Sequence, residues 1–413
     1  MNSLHLSHPT RKIKSEIQLV SSKSESNRAL VINALAGNKG RLSNLSAARD
    51  TQTMQRLLAS GAPVWDVLDA GTTMRFLTAY AAVTNQDKTL TGTPRMCERP
   101  IKLLVDALQT LGADIDYMDK EGFPPLHVRG MRPNGTSHVQ IRGDVSSQYI
   151  SALLMIAPLL PNGLTVELTG TIGSRPYIDM TLQLMAAFGI NHEWRENSIS
   201  VKPQTYQPTD YQIESDWSGA SYWYSIVALA EEAEVELLGL KQDSLQGDSR
   251  IADIMRPLGV RSTFTRRGVL LQKTAHQTTV QVDFADCPDL AQTVAVCCAA
   301  KGIAAEFTGI ESLKIKETDR IKALQNELRK FGADLVETEP NHRYRIQNAE
   351  FGMPNSAFRT YDDHRMAMAF APLALIRKIK IEHPDVVVKS YPSFWTDLQQ
   401  AGFEVSRDTI LER

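Results

Sequence analysis

The sequence predicts an α/β fold of two similar domains. Each domain contains three repeated βαβαββ-type units with buried helices inside a ring of sheets, an inside-out α/β barrel. Two recurring helix types, with strand-like segments between them, support this prediction. One type is amphipathic and runs into a glycine, the other is apolar on nearly every side, and each occurs six times in the 413 residues. We therefore expect six α/β units of about 70 residues each.

The amphipathic helices are recognised by the glycine that follows them. A glycine directly after a helix suits the left-handed C′ position, where a Cβ would be penalised. Successive glycines lie 51 to 77 residues apart, which indicates a structural repeat. The segments are MQRLLASGAPV, LLVDALQTLGADI, TLQLMAAFGI, IADIMRPLGV, IKALQNELRKFGADL and FWTDLQQAGFEV, with Gly61, Gly112, Gly189, Gly259, Gly332 and Gly402.

The second helix type is small and apolar on almost all faces, which is typical of a helix buried in a core. Strand-like segments such as SHVQIRG, LTVELTG and AEVELLGL lie between the helices. The buried segments are SNRALVINALA, GTTMRFLTAYAAV, SQYISALLMIAPLL, GASYWYSIVALA, PDLAQTVAVCCAA and DHRMAMAFAPLALI.

The chain is too long for one ordinary core, which favours two domains. Grouping the six units by threes predicts a first domain at residues 21–215 and a second domain at residues 1–20 plus 216–413. We expect a hinged cleft between them that closes on ligand, because candidate site residues occur in both domains.

Composition excludes several classes of protein. Lys plus Arg total 45 and Asp plus Glu total 47, and apolar residues make up 42% of the chain, which is ordinary globular usage. There is no run of 18 apolar residues and no run rich in Lys and Arg, so we expect neither a membrane span nor a nucleic-acid-binding surface. The N-terminal segment lacks the apolar region of a secretory signal. We therefore expect a cytoplasmic protein, and a monomer.

Cysteine and histidine spacing indicates no metal site. Cys97, Cys287, Cys297 and Cys298 form no CxxC pair, and we expect them to be buried free thiols. The histidines show neither HxxxH nor HExxH spacing, so a zinc site is not predicted.

Polar side chains collect where the buried helices begin. Helix N-termini carry unpaired N–H groups and partial positive charge, so they bind anions. Capping explains a Ser, Thr or Asp at such a position. It does not explain the neighbouring cations, so we predict that the six N-termini converge on an anion-binding site. The residues are Lys23, Ser24 and Arg28; Asp69, Gly71, Thr72 and Arg75; Ser146, Ser147 and Gln148; Asp216, Ser218 and Gly219; Asp289; and Asp363, His364 and Arg365.

Eight motifs together resemble the 5-enolpyruvylshikimate-3-phosphate synthase family (3-phosphoshikimate 1-carboxyvinyltransferases). They are SKSESNRAL, DAGTTMR, GTPRMCERPI, GDVSSQYISALL, RPYIDMTL, PDLAQTVAV, KIKETDRI and YDDHRMAMAF. The resemblance implies transfer of the enolpyruvyl group of phosphoenolpyruvate to the 5-hydroxyl of shikimate 3-phosphate, with release of phosphate, in chorismate and aromatic amino acid biosynthesis. It implies no metal and no organic cofactor, and that glyphosate, the known inhibitor of the family, would bind at the phosphoenolpyruvate residues.

The resemblance also implies which residues hold the substrates. Their anionic groups call for many cations, and arginine offers a bidentate grip where lysine acts as a point charge. For shikimate 3-phosphate the residues are Lys23, Ser24, Arg28, Ser146, Ser147, Gln148, Ser174, Tyr177, Asp289, Ser312 and Lys316. For phosphoenolpyruvate they are Lys23, Gly71, Arg95, Gln148, Arg320, Arg365 and Lys389, and Arg99 is a further cation of the same motifs.

Proton transfer requires a base for the 5-hydroxyl and an acid for the enol methylene. Asp289 is the candidate base and Glu317 the candidate acid. A water-poor site would favour the protonated form of Glu317. Lys316 and Lys23 would stabilise charge that develops on the reacting oxygens.

Departures from the family pattern concern ligand contacts. Asp69 stands where the family usually has Asn, and Ser312 stands at another position that is often Asn. An unpaired carboxylate at Asp69 would repel an anionic substrate, so we expect it to pair with Arg75 or Arg95.

The sequence leaves two alternative functions open. UDP-N-acetylglucosamine enolpyruvyl transferases share the fold and chemistry and usually carry a loop cysteine, for which Cys97 between Arg95 and Arg99 is a candidate. The second alternative is a non-catalytic anion-binding relative. The presence of Asp289, Glu317 and Lys316 argues against that reading.

Overall fold

The computed structural model describes residues 2–348 and 357–408. Within these ranges the helices are α1 Lys23–Leu35, α2 Arg49–Leu58, α3 Gly71–Val83, α4 Pro94–Cys97, α5 Lys102–Thr110, α6 Ser147–Ile156, α7 Arg175–Ala187, α8 Trp217–Leu229, α9 Ile251–Ile254, α10 Ala291–Lys301, α11 Arg320–Arg329, α12 His364–Phe370 and α13 Phe394–Gln400.

The strands in the same ranges are β1 Ser3–Ser7, β2 Lys12–Gln18, β3 Leu42–Ser43, β4 Val64–Asp66, β5 Lys88–Thr91, β6 Ala113–Tyr117, β7 Leu126–Met131, β8 His138–Arg142, β9 Leu164–Thr169, β10 Glu193–Arg195, β11 Ser198–Val201, β12 Tyr211–Gln212, β13 Glu232–Leu238, β14 Val260–Phe264, β15 Gly268–Lys273, β16 Thr279–Asp283, β17 Ala304–Thr308, β18 Ala333–Glu339, β19 Arg343–Asn348, β20 Ile379–Glu382 and β21 Glu404–Arg407.

The described residues divide into two compact units. The N-proximal unit comprises residues 23–46 and 50–213, and the C-proximal unit comprises residues 2–22, 47–49 and 214–408 apart from residues 349–356. Residues 1, 349–356 and 409–413, which the predicted second domain includes, lie outside the described residues. The unit boundaries lie two residues from the predicted ones, and residues 47–49 belong to the C-proximal unit.

Four sheets share one topology. Their orders are β4-β5-β7-β6, β10-β11-β9-β8, β14-β15-β13-β2 and β16-β17-β19-β18, and each combines one parallel pair with two antiparallel pairs. In the sheet of β16 to β19, α10 joins the parallel strands β16 and β17, and α11 precedes β18. This order is βαβαββ, so the predicted repeat is confirmed in these four sheets.

The other two sheets are smaller. β12 and β3 form a two-stranded parallel sheet, and β20-β1-β21 forms a three-stranded sheet. The segment before β12 contains Pro203 and Pro208, which cannot donate to a strand ladder. Among the described strands the sheets are separate and none closes on itself, so the core is covered by open sheets and not by a closed barrel.

The apolar helices form the interior of each unit. α3 packs against α1 and α6, and α10 packs against α8 and α12. Almost every residue of α3, α8 and α12 is buried, as the all-round apolar pattern predicts. Where proline enters the later turns of α6 and α12, 3-10 turns continue the helix at Ala157–Leu159 and Ala371–Leu375.

Five of the six helix-terminating glycines are left-handed, as predicted: Gly112, Gly189, Gly259, Gly332 and Gly402 have φ between 81° and 100°. The prediction is wrong for Gly61, whose φ is not positive. The physical reason is that α2 ends earlier, at Leu58, and closes with a tight turn in which the Ser60 amide donates to the Leu57 carbonyl.

Candidate active site

The starts of two buried helices are joined in the N-proximal unit. Ser146 is the N-cap of α6, and its hydroxyl accepts a hydrogen bond from the Gln148 amide at 3.3 Å. The Gln148 side chain donates to the Thr72 hydroxyl, at the start of α3, at 3.1 Å. Since Ser147 opens α6 and Gly71 opens α3, two positive helix ends lie next to each other, which favours an anionic ligand.

Arg28 is a buried guanidinium in α1. It donates to the Thr181 hydroxyl at 2.7 Å, to the Ser24 carbonyl at 3.0 Å and to the Ser151 hydroxyl at 3.4 Å. Burial lowers the pKa of Arg28 to about 10, although Tyr177 acts in the opposite direction, so the group remains a cation at neutral pH. Its hydrogen-bond partners among the described residues are uncharged, so an anionic substrate would supply its counter-charge.

Ser174 and Tyr177 lie at the start of α7. Ser174 has φ of 54°, a left-handed conformation that costs a serine free energy and that tends to occur at functional sites. The Tyr177 ring centre lies 5.8 Å from the Arg28 guanidinium carbon. The structure thus brings Tyr177 and Arg28 together.

Arg99 packs against Gly71, the residue that opens α3. A Cβ on Gly71 would lie 2.6 Å from Arg99 Nη1, and its three nearest heavy atoms all belong to Arg99. Arg99 is 8% exposed. The Arg95 side chain is 42% exposed and forms a 3.0 Å ion pair with Glu98. The sequence names Arg95 for phosphoenolpyruvate and Arg99 as a further cation, but both belong to the PRMCERP motif and nothing in the motif indicates which one turns inward.

Lys23 forms an ion pair with Asp50, and its Nζ lies 2.9 Å from Asp50 Oδ2. Asp50 is buried at the start of α2. The contact holds the Lys23 ammonium in place at the first residue of α1. Sequence reasoning missed Asp50, which lies in no recognised motif.

In the C-proximal unit, Arg320 joins three carboxylates. Its Nε lies 2.6 Å from Asp363 Oδ2, its Nη1 lies 2.9 Å from Asp289 Oδ1, and its Nη2 lies 2.9 Å from Glu317 Oε2. Burial lowers the pKa of Arg320, but Asp363, Glu317 and Asp289 outweigh burial and raise it. These carboxylates accept four hydrogen bonds from Arg320, which thereby holds Asp289 and Glu317 in position.

Asp289 lies in a short 3-10 helix, Pro288–Leu290, directly before α10. Arg365 Nη2 lies 3.1 Å from its Oδ2, and Lys316 Nζ lies 3.6 Å from its Oδ1. Burial alone would raise the pKa of Asp289, but Arg365, Lys316 and Arg320 together hold it well below the usual range. In this arrangement Asp289 is an ionised carboxylate, as a base must be.

Glu317 has a second cation beside it. Lys389 is 1% exposed, and its Nζ lies 3.6 Å from Glu317 Oε1. The KETDR motif places Lys316 and Glu317 between the 3-10 helix Glu311–Ile315 and α11, whose start is capped by Asp319. The motif therefore places its Lys and Glu directly before α11 and its Arg at the first residue of that helix. Ser312 lies on the 3-10 helix, half-buried.

The DHR motif forms the start of α12. Asp363 is the N-cap, and its carboxylate accepts a hydrogen bond from the Arg365 amide at 2.9 Å. The two residues before it, Tyr361 and Asp362, both have left-handed φ angles, of 53° and 54°. The sharp turn before α12 directs the Asp363 carboxylate toward Arg320 as well as toward the helix.

A buried acid near Arg365 has no motif that would have predicted it. Asp248, on the 3-10 helix Gly247–Arg250, accepts a hydrogen bond from the Ser218 hydroxyl. Arg365 Nη2 lies 3.4 Å from Ser218 Oγ. Burial raises the pKa of Asp248, and Arg365 opposes that rise. Sequence reasoning placed Ser218 near the site but missed Asp248.

The cysteine prediction is confirmed for Cys287, Cys297 and Cys298, which are buried and free, while Cys97 is only half-buried. Burial raises the pKa of Cys297 to about 11, which fits an unreactive thiol. Within residues 2–348 and 357–408, no group of His, Cys, Asp and Glu side chains is arranged to hold a metal ion. No described helix is long and apolar enough to cross a membrane.

Comparison with known proteins identifies the family. The sequence model of EPSP synthase (3-phosphoshikimate 1-carboxyvinyltransferase) matches residues 57–398. A Bacteroides fragilis (strain YCH46) protein named 3-phosphoshikimate 1-carboxyvinyltransferase is 51% identical over 405 residues, which cover 97% of this chain and 98% of the relative. The chain belongs to the EPSP synthase family. A relative of the same name from Idiomarina loihiensis is 35% identical, covering 97% of this chain and 99% of the relative.

Solved structures share the fold of this EPSP synthase family member. An EPSP synthase from Acinetobacter baumannii superposes with a TM-score of 0.77 at 19% identity, covering 98% of this chain and all of the other. The enolpyruvyl transferase NikO from Streptomyces tendae gives a TM-score of 0.75 at 13% identity, covering 99% of each chain. At these identities the structures establish the two-domain α/β fold alone. The relatives with the higher identities are shikimate enzymes, so neither alternative reading is favoured.

Proposed function

We propose that this EPSP synthase family member transfers the enolpyruvyl group of phosphoenolpyruvate to the 5-hydroxyl of shikimate 3-phosphate and releases phosphate. The observation that carries the proposal is the cluster in which Arg320 holds Asp289 and Glu317, with Lys316 and Lys389 within 3.6 Å of their carboxylates. Two carboxylates and several cations supply what proton transfer between anionic substrates requires.

Shikimate 3-phosphate is assigned to the paired helix starts and the buried arginine. The N–H groups that open α6 suit its phosphate, and Arg28 supplies a counter-charge. Ser174, with its left-handed backbone, immediately precedes α7. Tyr177, in the first turn of α7, lies beside Arg28. The proposed set is Lys23, Ser24, Arg28, Ser146, Ser147, Gln148, Ser174, Tyr177, Asp289, Ser312 and Lys316.

Phosphoenolpyruvate is assigned to the cations around Gly71 and in the C-proximal unit. The packing of Arg99 against Gly71 favours Arg99 over Arg95 for this role, because a buried guanidinium beside a helix start grips a carboxylate or phosphate bidentately. The proposed set becomes Lys23, Gly71, Arg99, Gln148, Arg365 and Lys389, with Arg320 acting through the carboxylates that it holds.

The chemistry has two steps. In the addition, the 5-oxygen of the shikimate ring bonds to C2 of phosphoenolpyruvate, its proton passes to Asp289, and C3 receives a proton from Glu317. In the elimination, the C2–O bond to phosphate breaks, the departing phosphate takes up the proton held by Asp289, and C3 returns one proton to Glu317, which restores the double bond. Lys23 and Lys316 stabilise charge on the reacting oxygens.

Glu317 needs its proton at the right moment. Arg320 and Lys389 stabilise its carboxylate form. We infer that the substrate phosphate and carboxylate engage nearby cations and so weaken this stabilisation. Protonation of Glu317 would then be coupled to substrate binding.

The test combines phosphate release with proton exchange. Glu317→Gln keeps the size of the side chain but cannot deliver a proton, so turnover should fall roughly 100-fold or more. Incorporation of solvent deuterium into the phosphoenolpyruvate methylene should slow in parallel. Glu311→Gln, the same change on the preceding 3-10 helix, is the matched control and should leave both rates near wild type.

Exchange at the wild-type rate in Glu317→Gln would assign the proton to another group, and Lys23 is the next candidate.

The choice of acceptor tests the reaction itself. Turnover with a UDP-amino sugar and none with shikimate 3-phosphate would contradict the proposal. A cytoplasmic location and a monomeric state remain predictions, and sedimentation of the purified protein tests the second.

A further inference from the structure

A cavity of about 550 Å³ lies in the C-proximal unit where buried helices end. Ala228 and Leu229 at the end of α8, Lys301 at the end of α10, and Ile376 after the 3-10 turn that continues α12 all line it. Three residues of the active-site region lie at the opposite ends of these helices: Ser218 at the start of α8, Asp289 directly before α10 and Arg365 at the start of α12. Since the 13 residues of α8 span about 20 Å, the cavity is separate from the site described above.

Two lysines converge in this cavity. Lys273 Nζ and Lys301 Nζ both donate to the Ala228 carbonyl, at 3.2 and 2.9 Å, and Lys273 also donates to the Ala230 carbonyl. Neither lysine forms an ion pair with a carboxylate in the part of the chain that the structure describes. Two half-buried ammonium groups thus share one neutral acceptor.

Electrostatics disfavours this pair without an anion. Burial lowers the pKa of Lys273 and of Lys301, and for Lys301 the neighbouring Lys273 lowers it further, while Cys297 acts in the opposite direction on both. Glu231 also raises the pKa of Lys273 without forming an ion pair with it. An anion between the two lysines would relieve both the repulsion and the missing counter-charge.

Capping of the end of α8 explains only part of the arrangement. A lysine near a helix C-terminus stabilises the last carbonyls, and Lys273 already does so at Ala228 and Ala230. Lys301 adds a second cation, and only one of its three N–H donors has a described partner. Its remaining donors are available to the cavity, which it lines together with His276.

We propose that Lys273, Lys301 and His276 form a second anion site, which takes a small phosphate- or carboxylate-bearing molecule. Its volume is within the usual range for small-ligand pockets. Lysine is a common phosphate ligand, acting as a point charge.

The test is a titration of the full chain with inorganic phosphate, followed by the backbone amide signals in two-dimensional NMR. Phosphate is also expected to bind at the proposed active site. The positions of the residues whose signals shift therefore show whether phosphate also binds in the cavity. The amides of residues 274–276 and Lys301 should shift and saturate. In Lys301→Met these shifts should require about tenfold more phosphate, while the shifts of residues 146–148 stay as in wild type.

Lys14→Met is the matched control, because it removes a lysine charge from an exposed position in the same unit. It should bind phosphate at the cavity as wild type does. Lys273→Met is a second variant, and we expect it to weaken phosphate binding at the cavity as Lys301→Met does. If Lys301→Met does not fold, Lys301→Gln replaces it, with the same expected loss of phosphate binding. Cavity signals that do not move with phosphate, or that move equally in wild type and Lys301→Met, would overturn the proposal.

Discussion

Arg95 and Arg99 lie four residues apart but have different surroundings. Arg99 is buried against the backbone of Gly71, while Arg95 pairs with Glu98 at the surface. A planar guanidinium that is held in place loses little freedom when it grips a carboxylate, so the buried arginine is the better ligand. The difference in burial makes these two positions a natural matched pair.

We expect Arg99→Lys to lower kcat/KM for phosphoenolpyruvate by roughly 10- to 100-fold, because a lysine keeps the charge but loses bidentate hydrogen bonds to a charged group. Arg95→Lys should stay within about threefold of wild type, as expected for an exposed ion pair. Steady-state kinetics with each substrate varied in turn measures both variants. A larger loss in Arg95→Lys than in Arg99→Lys would contradict the assignment.

Asp289 links site electrostatics to folding stability. Its pKa in the folded protein lies well below the usual range because Arg365, Lys316 and Arg320 outweigh burial. A carboxylate with a depressed folded-state pKa stabilises the fold above its unfolded-state pKa of about 4. This contribution is lost as the pH falls from there toward the folded-state pKa.

Asp289→Asn should therefore lower the free energy of unfolding at pH 7, by about 3–5 kcal/mol, because it leaves buried cations without their partner. The difference from wild type should shrink as the pH falls below about 4. Urea unfolding at several pH values measures this, with Asp119→Asn at an exposed position as the control. A difference that is the same at pH 7 and pH 3 would show that the charge of Asp289 contributes nothing to stability.

At the level of elements, a left-handed glycine determines how the chain leaves five of the six amphipathic helices. Gly112 has φ of 100°, and a Cβ there would lie 2.1 Å from the Arg132 carbonyl oxygen. Gly61 follows a helix in the same sequence pattern, yet a Cβ on it would meet no heavy atom within 4 Å. Comparing the two positions separates the effect of a left-handed backbone from the effect of simply replacing a glycine by a larger residue.

Gly112→Ala should lower the free energy of unfolding by about 2 kcal/mol or more, since both the left-handed backbone and the close carbonyl oppose a Cβ. Gly61→Ala should change it by no more than about 0.5 kcal/mol. Thermal and urea unfolding of the two variants provides the comparison. Equal losses in both variants would mean that Gly112 is not required for its conformation.

At the level of the whole molecule, the proposed substrate residues come from both compact units. If both sets contact the same pair of substrates, binding should draw the units toward each other, as ligand-driven closure does in other two-domain enzymes. Small-angle scattering should show a smaller radius of gyration with shikimate 3-phosphate than without it. Arg28→Met, which removes a proposed phosphate ligand, is the control and should show less compaction at the same concentration.

The repeat architecture follows from patterns that act over short distances. Helix type depends on apolar periodicity within one segment, and helix ends depend on a cap or a glycine. This is why the βαβαββ order of four sheets and the starts of α3, α6 and α12 could be predicted from the sequence. It is also why Gly61 was mispredicted, since the same local pattern allows α2 to end earlier through a tight turn.

By itself, the sequence determined the helix types, the repeat order and the motifs that place charged residues at helix starts, because each of these depends on neighbours along the chain. Tertiary structure alone decided which charges meet. Arg320 contacts Asp363, 43 residues away, and Lys23 pairs with Asp50, 27 residues away. Lys301 donates to the Ala228 carbonyl, 73 residues away, to which Lys273 also donates. Such contacts depend on how separate elements pack. Packing brings together groups whose separation along the chain does not predict their distance in space.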